Sequence, residues 1–265
     1  IRSRTDLAYK PQRRWVGRLD LTADRHLIAR AYRPADLPAT LEAWQLAPLV
    51  DGQVLVPTVR ETCPRRGLVV TSWLDGTPLD QLLARSRVPA GVLHEVGVGL
   101  ARLHSAGSRP ARPAGARDGR LAAVETVATQ LALVLPELDE RVRAVTDRLA
   151  AEAPAVHLER PGHGDFSTDQ VIVDPAGRIG ITDWDRAGWA DPAADLGSLR
   201  AAGLDPVAYD EVLAGYTSVR EEPSTVDWHL VRARLLRLPE PLRQGRPDWR
   251  DRVVARLAEL EEPGR

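Results

Sequence analysis

The stretch HGDFSTDQVIVDPAGRIGITDWD, from His163 to Asp185, sets five acidic residues and one histidine around two short apolar runs. Gln170 to Asp174 and Arg178 to Thr182 are rich in β-branched residues and flank Pro175-Ala176-Gly177, the composition of a β-hairpin with a three-residue turn. Folding about Ala176 puts Gln170 opposite Thr182. Asp183 then leaves the hairpin beside Asp169 and Gln170, at the end where the loop carrying His163 and Asp165 enters. Asp165 and Asp183, 18 residues apart in sequence, are thereby expected to converge at one mouth.

Converging carboxylates repel one another and are costly to desolvate, so such a mouth needs a cation or a shared proton. The ligands on offer are carboxylate and amide oxygens, with no Cys-His set for zinc, and the expected cation is therefore hard and divalent. Magnesium keeps several waters and is usually held by one or two protein carboxylates together with substrate phosphates. The chemistry this points to is phosphoryl transfer.

The rest of the chain bounds that reading. Its 265 residues suffice for one large domain or two lobes. With 43% hydrophobic and 28% charged residues the composition is that of an ordinary globular protein, and no apolar run approaches the length of a membrane span. The 36 basic and 37 acidic residues nearly cancel, which removes the positive field that draws proteins onto nucleic acid. Neither nucleic acid nor a membrane is an expected partner. Lys10 is the only lysine, which matters wherever chemistry would favour that side chain over arginine. Cys63 stands alone, so no disulfide closes within the chain and a reducing cytoplasm is the expected setting. No signal-peptide pattern opens the sequence, but it contains no methionine and need not begin at a natural start.

Ahead of the hairpin, Trp15 to Leu21 and His26 to Tyr32 read as paired strands, and Asp36 to Leu46 as a helix through Leu37, Leu41 and Trp44. Gln53 to Val59 and Gly67 to Leu74 read as two further strands, the second stopping at Asp75-Gly76-Thr77-Pro78. After Pro78 the periodicity turns helical: Pro89 to His104, with Gly107 placed to end it, then Leu121 to Leu135, and Leu138 to Leu149 beyond Pro136. Helices are also expected over Asp191 to Ala201, Pro206 to Val219, Ser224 to Leu238 and Asp248 to Leu260, with Ser224 and Asp227 at capping-box spacing. Gly107 to Arg120 reads as a mobile loop. The expected fold class is α+β and bilobal. A small antiparallel sheet lobe with one helix (residues 1–74) joins through a hinge (75–78) to a larger, mainly helical lobe (79–265).

H-G-D-x-x-x-x-Q resembles the catalytic loop of the aminoglycoside phosphotransferase and choline kinase family of the protein-kinase-like superfamily, whose usual form ends in N. I-T-D-W-D resembles that family's I-D-W-E, the counterpart of the kinase D-F-G, and A-D-P-A-A-D-L resembles its G-D-P-x-x-D-L. The elements occur in the family's order and spacing. The resemblance implies a protein-kinase-like fold and ATP- and Mg2+-dependent transfer of the γ-phosphate to a small-molecule hydroxyl. By position it makes Asp165 the residue that accepts the proton of the attacking hydroxyl, and Gln170 and Asp183 the magnesium ligands. It gives His163 the positioning of the loop by hydrogen bonding, and Asp195 the anchoring of loop backbone. Asp169, Asp174 and Asp185 read as ordinary turn acids.

In the small lobe the family pairs a strand lysine with the nucleotide phosphates and holds it with a helix glutamate. Here L-I-A-R-A-Y-R offers Arg30 and T-L-E-A-W offers Glu42. Arginine keeps the charge but presents a planar fork instead of a compact ammonium. No glycine-rich loop is visible in Y-K-P-Q-R-R-W-V-G-R-L, where Lys10, Arg13 and Arg14 read either as phosphate contacts or as a solvated basic turn. L-V-V-T-S-W-L-D-G-T-P-L resembles the last small-lobe strand and hinge, which would bring backbone groups near Ser72 and Leu74 to the adenine edge. G-L-A-R-L-H makes His104 a packed structural histidine.

The acceptor region, after Leu199, leaves two readings open. Asp205, Asp210, Glu211, Glu221, Glu222 and Asp227 would suit a polyamine, whereas Tyr209, Tyr216, Trp228 and Trp249 would suit choline or a sugar ring. Arg30 and Gln170 also motivate an alternative function, a pseudokinase that binds nucleotide or a partner with little turnover. A metal phosphohydrolase would leave the small lobe and hinge unexplained. A monomer or homodimer is expected.

Overall fold

The computed structural model describes residues 1–10, 14–50, 52–111, 119–155 and 158–262. Strands β1 (Ser3–Lys10), β2 (Arg14–Asp20), β3 (His26–Tyr32), β4 (Val59–Cys63) and β5 (Leu68–Ser72) form an antiparallel sheet in the order β1-β2-β3-β5-β4. The β2–β3 pair is the expected hairpin, with Trp15 opposite Ala31 and Asp20 opposite His26. Strand β1 has no counterpart in the sequence reading. All its residues are exposed, so it lacks the one-sided apolar alternation that marks a half-buried strand. Helix α1 (Leu37–Trp44) follows β3 and buries Leu37, Thr40, Ala43 and Trp44.

Strand β6 (Thr77–Pro78) leads into helices α2 (Leu79–Ala84) and α3 (Val92–Ser105), a two-residue strand β7 (Arg109–Pro110), and helices α4 (Gly119–Val134) and α5 (Asp139–Ala151). Residues 112–118 of the expected Gly107 to Arg120 loop lie outside the described residues, as does Arg13. Strand β8 (Leu158–Gly162) precedes the acidic stretch, whose hairpin is β9 (Val171–Val173) and β10 (Ile179–Ile181). Strand β11 (Gly188–Ala190) returns to pair with β8, and helices α6 (Ala193–Ala201), α7 (Pro206–Thr217), α8 (Val226–Arg237), α9 (Glu240–Arg243) and α10 (Trp249–Glu261) complete the larger lobe.

Three sequence expectations are corrected. The run from Gln53 to Val59 is not itself a strand of the small-lobe sheet, and only its last residue, Val59, enters β4. Leu55 instead forms a parallel bridge with Gly180, its N–H donating to Ile179 and its carbonyl accepting from Ile181, both at 2.9 Å. The run is apolar because Val54 is buried in the core beneath the hairpin, which also takes in Ala43, Trp44, Ala47 and Val50. Packing therefore carries part of the 1–74 segment into the larger lobe. Gly107 does not cap α3: Ala106 does so in a right-handed conformation. The capping box of α8 does not form, because Thr225 is the N-cap and Asp227 turns to Arg200 at 2.7 Å.

Two apolar cores hold the larger lobe. One joins the hairpin, α3, α6 and α7, and the other joins α4, α5, α8 and α10 through residues such as Val124, Leu135, Val142, Leu238 and Leu257. Helices α3 and α7 touch backbone to backbone. A side-chain carbon at Gly97 would collide with the Val212 carbonyl oxygen, and one at Gly215 with that of His94. Gly97→Ala is expected to push the two helices apart at a cost of about 1–3 kcal/mol. Thermal unfolding should show it as a midpoint lowered by roughly 2–4 °C per kcal/mol. Among the described residues no helix is long and apolar enough to cross a membrane.

Candidate active site

The hairpin has the expected register. Val171 faces Ile181 and Val173 faces Ile179, which sets Gln170 against Thr182, and the Thr182 N–H donates to the Gln170 carbonyl at 2.9 Å. Asp174 closes the turn: one carboxylate oxygen accepts from the N–H groups of Ala176 and Arg178 and the other pairs with the Arg178 side chain. Beyond Thr182 the chain turns sharply at Asp183, whose φ of 65° is left-handed. Aspartate is one of the few residues that enter this region. The turn drives Trp184 into the core, where its indole N–H reaches the Ile181 carbonyl at 2.9 Å.

The loop before the hairpin is fixed by Asp195 at the start of α6. Its carboxylate is almost wholly buried and accepts the backbone N–H groups of His163 at 2.6 Å and Gly164 at 2.8 Å. His104 of α3 lies 3.1 Å from the same carboxylate through Nε2, and its Nδ1 lies 2.9 Å from the Tyr216 hydroxyl of α7. An ionised Asp195 requires Nε2 to carry the proton, leaving Nδ1 to accept from Tyr216. Burial opposes ionisation of Asp195, but the His104 hydrogen bond, with His163 beside it, holds its carboxyl below the usual range. Gly164 itself has φ of 81°, and a side-chain carbon there would strike the Arg186 carbonyl oxygen. His163 is fully buried against Phe166 and Trp184, with Nε2 donating to the Thr182 carbonyl at 2.8 Å. The two halves of the acidic stretch are thus stitched together.

Asp165 stands at the exposed face of this loop, with Arg186 Nη1 3.5 Å from its carboxylate. Gln170 is buried, and its side-chain carbonyl Oε1 has no hydrogen-bond partner among the described residues. A buried oxygen of this kind calls for a specific cause, a bound ion or water among them. No three His, Cys, Asp or Glu side chains among the described residues form a ready-made metal cage. An amide oxygen and a carboxylate suit magnesium, a hard cation that takes few protein ligands and completes its shell with phosphates and water.

Asp183 is joined to the small lobe. Arg14, the first residue of β2, forks onto it with Nη1 and Nη2 each 2.6 Å from a carboxylate oxygen, and Nη1 also pairs with Asp185. Asp185 further accepts from the Tyr32 hydroxyl at 2.8 Å and the Trp44 indole N–H at 2.9 Å. It is not the ordinary turn acid that the sequence implies but the point where β2, β3 and α1 meet the hairpin. Burial would raise the Asp183 pKa, but the hydrogen-bonded Arg14 charge, with Arg30 and His163 near, holds it below the usual range. Burial and the Asp185 charge push the Tyr32 phenol well up, which keeps it a donor.

The expected Arg30–Glu42 pair does not form. Arg30 is 6% exposed, its guanidinium lies 5.1 Å over the Trp44 ring, and Nη1 donates to Thr71 at 3.1 Å. Glu42 is exposed and makes no ion pair among the described residues. The Ser72 N–H donates to the Thr58 carbonyl and Ser72 Oγ accepts from the Thr58 N–H, both at 2.9 Å, so the Ser72 N–H is not open to an adenine edge. Leu74, just past β5, has no backbone hydrogen bond among the described residues, and its side chain lies on Gly180. In the acceptor region Tyr209 and Tyr216 belong to the core, and the Trp228 indole N–H is given to the Leu149 carbonyl, so these three do not form an aromatic wall. Sequence reasoning missed the roles of Tyr32, Trp44, Asp185 and Arg186 in this site. The only signal was their position beside the motifs.

The sequence model of a phosphotransferase enzyme family matches residues 12–234. A glucosamine kinase of Mycolicibacterium smegmatis is 36% identical over 173 residues, 60% of this chain and 41% of that protein. The chain thus spans about two fifths of the length of that curated relative. Among solved structures, a choline/ethanolamine kinase family protein from Mesorhizobium loti superposes with a TM-score of 0.65 at 21% identity, covering 98% of this chain and 89% of the other. A spectinomycin phosphotransferase in complex with ADP and spectinomycin gives 0.66 at 10% identity, covering 99% and 90%. These likenesses establish the fold, a bilobal α+β architecture.

Proposed function

This chain belongs to the phosphotransferase enzyme family, and from that membership we propose that it is an ATP- and magnesium-dependent kinase that phosphorylates a hydroxyl of a small molecule. The observation that carries the reading is the mouth of the hairpin. A buried, unpartnered amide oxygen of Gln170 and the Asp183 carboxylate leave from one end of it, and the loop bearing Asp165 enters there. Magnesium bound with the nucleotide would neutralise charge on the phosphates and align the γ-phosphoryl group for in-line transfer.

The residues of the chain do the rest. Asp165 accepts the proton of the acceptor hydroxyl and orients its oxygen, with Arg186 steadying the carboxylate. Asp195 and His163 fix the loop, so that Asp165 is presented in one place and little reorganisation is needed on reaction. Gln170 and Asp183 would hold the cation through their side-chain oxygens, and the backbone of Leu74, without a hydrogen bond among the described residues, would meet the adenine edge. The glucosamine kinase similarity makes amino sugars and sugars the acceptors to try first, ahead of aminoglycosides and amino alcohols. A cytoplasmic setting suits both ATP supply and the unpaired Cys63.

A phosphate-transfer screen with ATP and Mg2+ across those acceptors tests the proposal, with Asp183→Asn as the control. Transfer to at least one acceptor is expected. The control should lose the magnesium dependence of nucleotide binding. Transfer to none of them, with no nucleotide bound, rejects the kinase reading, and nucleotide binding without turnover would favour a pseudokinase.

A further inference from the structure

The family's phosphate-reading cation belongs on the third strand, and in this chain that position holds Arg30. The charge of Arg30 reaches Asp183 and its Nε has no partner among the described residues, but the rest of its guanidinium is engaged elsewhere. It is buried in the small lobe, spread over the Trp44 ring, and gives an N–H to Thr71. A guanidinium held by a ring face and a hydroxyl supports helix α1, because Trp44 is the last residue of that helix and passes its indole N–H on to Asp185. Arg14 is placed differently. It is the first residue of β2, and its fork lies directly on Asp183 and Asp185.

From this juxtaposition, and resting on the kinase reading above, we infer that Arg14 and not Arg30 is the cationic residue that meets the nucleotide phosphates, and that its fork competes with a metal ion for Asp183. Arg14 neutralises the carboxylates of Asp183 and Asp185, and nucleotide phosphates would give its guanidinium a further anionic partner. A planar fork suits both partners, since carboxylate and phosphate accept the same bidentate pair of N–H bonds. The chain thereby manages without a strand lysine.

Calorimetric titration of ADP with Mg2+, and of adenosine, separates the two arginines. Arg14→Gln is expected to weaken ADP binding about ten- to a hundredfold, the effect of one charge-assisted hydrogen bond, while adenosine binding stays the same. Arg30→Met is expected to keep the ADP-to-adenosine ratio of the unaltered chain. Paramagnetic resonance of Mn2+ supplies a second readout: the nucleotide-free Arg14→Gln protein should take up Mn2+ more tightly than the unaltered chain. Should Arg14→Gln fail to fold by circular dichroism, Arg14→Lys keeps the charge without the fork and is expected to lose several-fold of ADP affinity alone. An unchanged ADP-to-adenosine ratio in the Arg14 variant, a loss of that ratio with Arg30→Met, or unaltered Mn2+ uptake overturns the inference. The kinase reading fails separately, if the unaltered chain binds no nucleotide at all, and the inference falls with it.

Discussion

The Asp165→Asn protein is expected to bind nucleotide as the unaltered chain does and to transfer phosphate about 10²–10⁴-fold more slowly, the range that a positioned general base contributes. Two features separate this residue from its acidic neighbours. Its side chain is 39% exposed and takes no part in the hydrogen bonds that hold the loop, which run from the backbone of His163 and Gly164 to Asp195. Replacing one carboxylate oxygen by an amide nitrogen therefore leaves the local structure in place. The same change at Asp183 acts elsewhere, because that carboxylate carries the Arg14 fork and one of the proposed metal contacts. Steady-state kinetics together with a nucleotide titration of each variant checks the contrast. An Asp165→Asn protein that keeps more than about a tenth of the rate would remove Asp165 from the role of base.

The sequence shows the hairpin well and the meeting of the lobes poorly, for a physical reason. Register along β9 and β10 is set by a three-residue turn and a run of β-branched residues, all of them local. The Arg14–Asp183 fork spans 169 positions, and nothing in the composition of the basic turn distinguishes an arginine that crosses the cleft from one that points to solvent. Asp185 is read as a turn acid because the residues that bury it, Tyr32 and Trp44, lie far off in the chain. The misplaced Arg30–Glu42 pair shows a subtler failure. The strand and the helix are both found, but Glu42 and Trp44 are two residues apart and so about 200° apart around the helix axis. Trp44 faces inward and takes the guanidinium, while Glu42 turns out to solvent. Leu55 shows the same limit for strands, since an apolar run does not say which sheet buries it.

The largest effect on stability is expected at Asp195. Asp195→Ala would leave the backbone N–H groups of His163 and Gly164 and the ring of His104 without their shared acceptor in the core. Each buried donor left unsatisfied costs about 1–3 kcal/mol. For a chain of this size that corresponds to a thermal midpoint lowered by roughly 2–4 °C for each kcal/mol. Asp195→Asn keeps one acceptor oxygen and should recover part of the loss. The pH dependence gives an independent check. Because the folded protein holds the Asp195 carboxyl below its unfolded value, the unfolded chain binds the proton more readily, and stability rises with pH through that window. The contribution is complete above the ordinary aspartate pKa of about 3.9 and disappears as the pH falls through the lower folded value. Asp183 adds a second acid limb of the same sign through Arg14. Chemical denaturation from neutral pH downward should therefore show a steeper acid loss in the unaltered chain than in Asp195→Asn. Equal slopes in the two proteins would mean that Asp195 does not hold its charge in the folded state. The His104 and Tyr216 contacts would then be held by a protonated carboxyl instead.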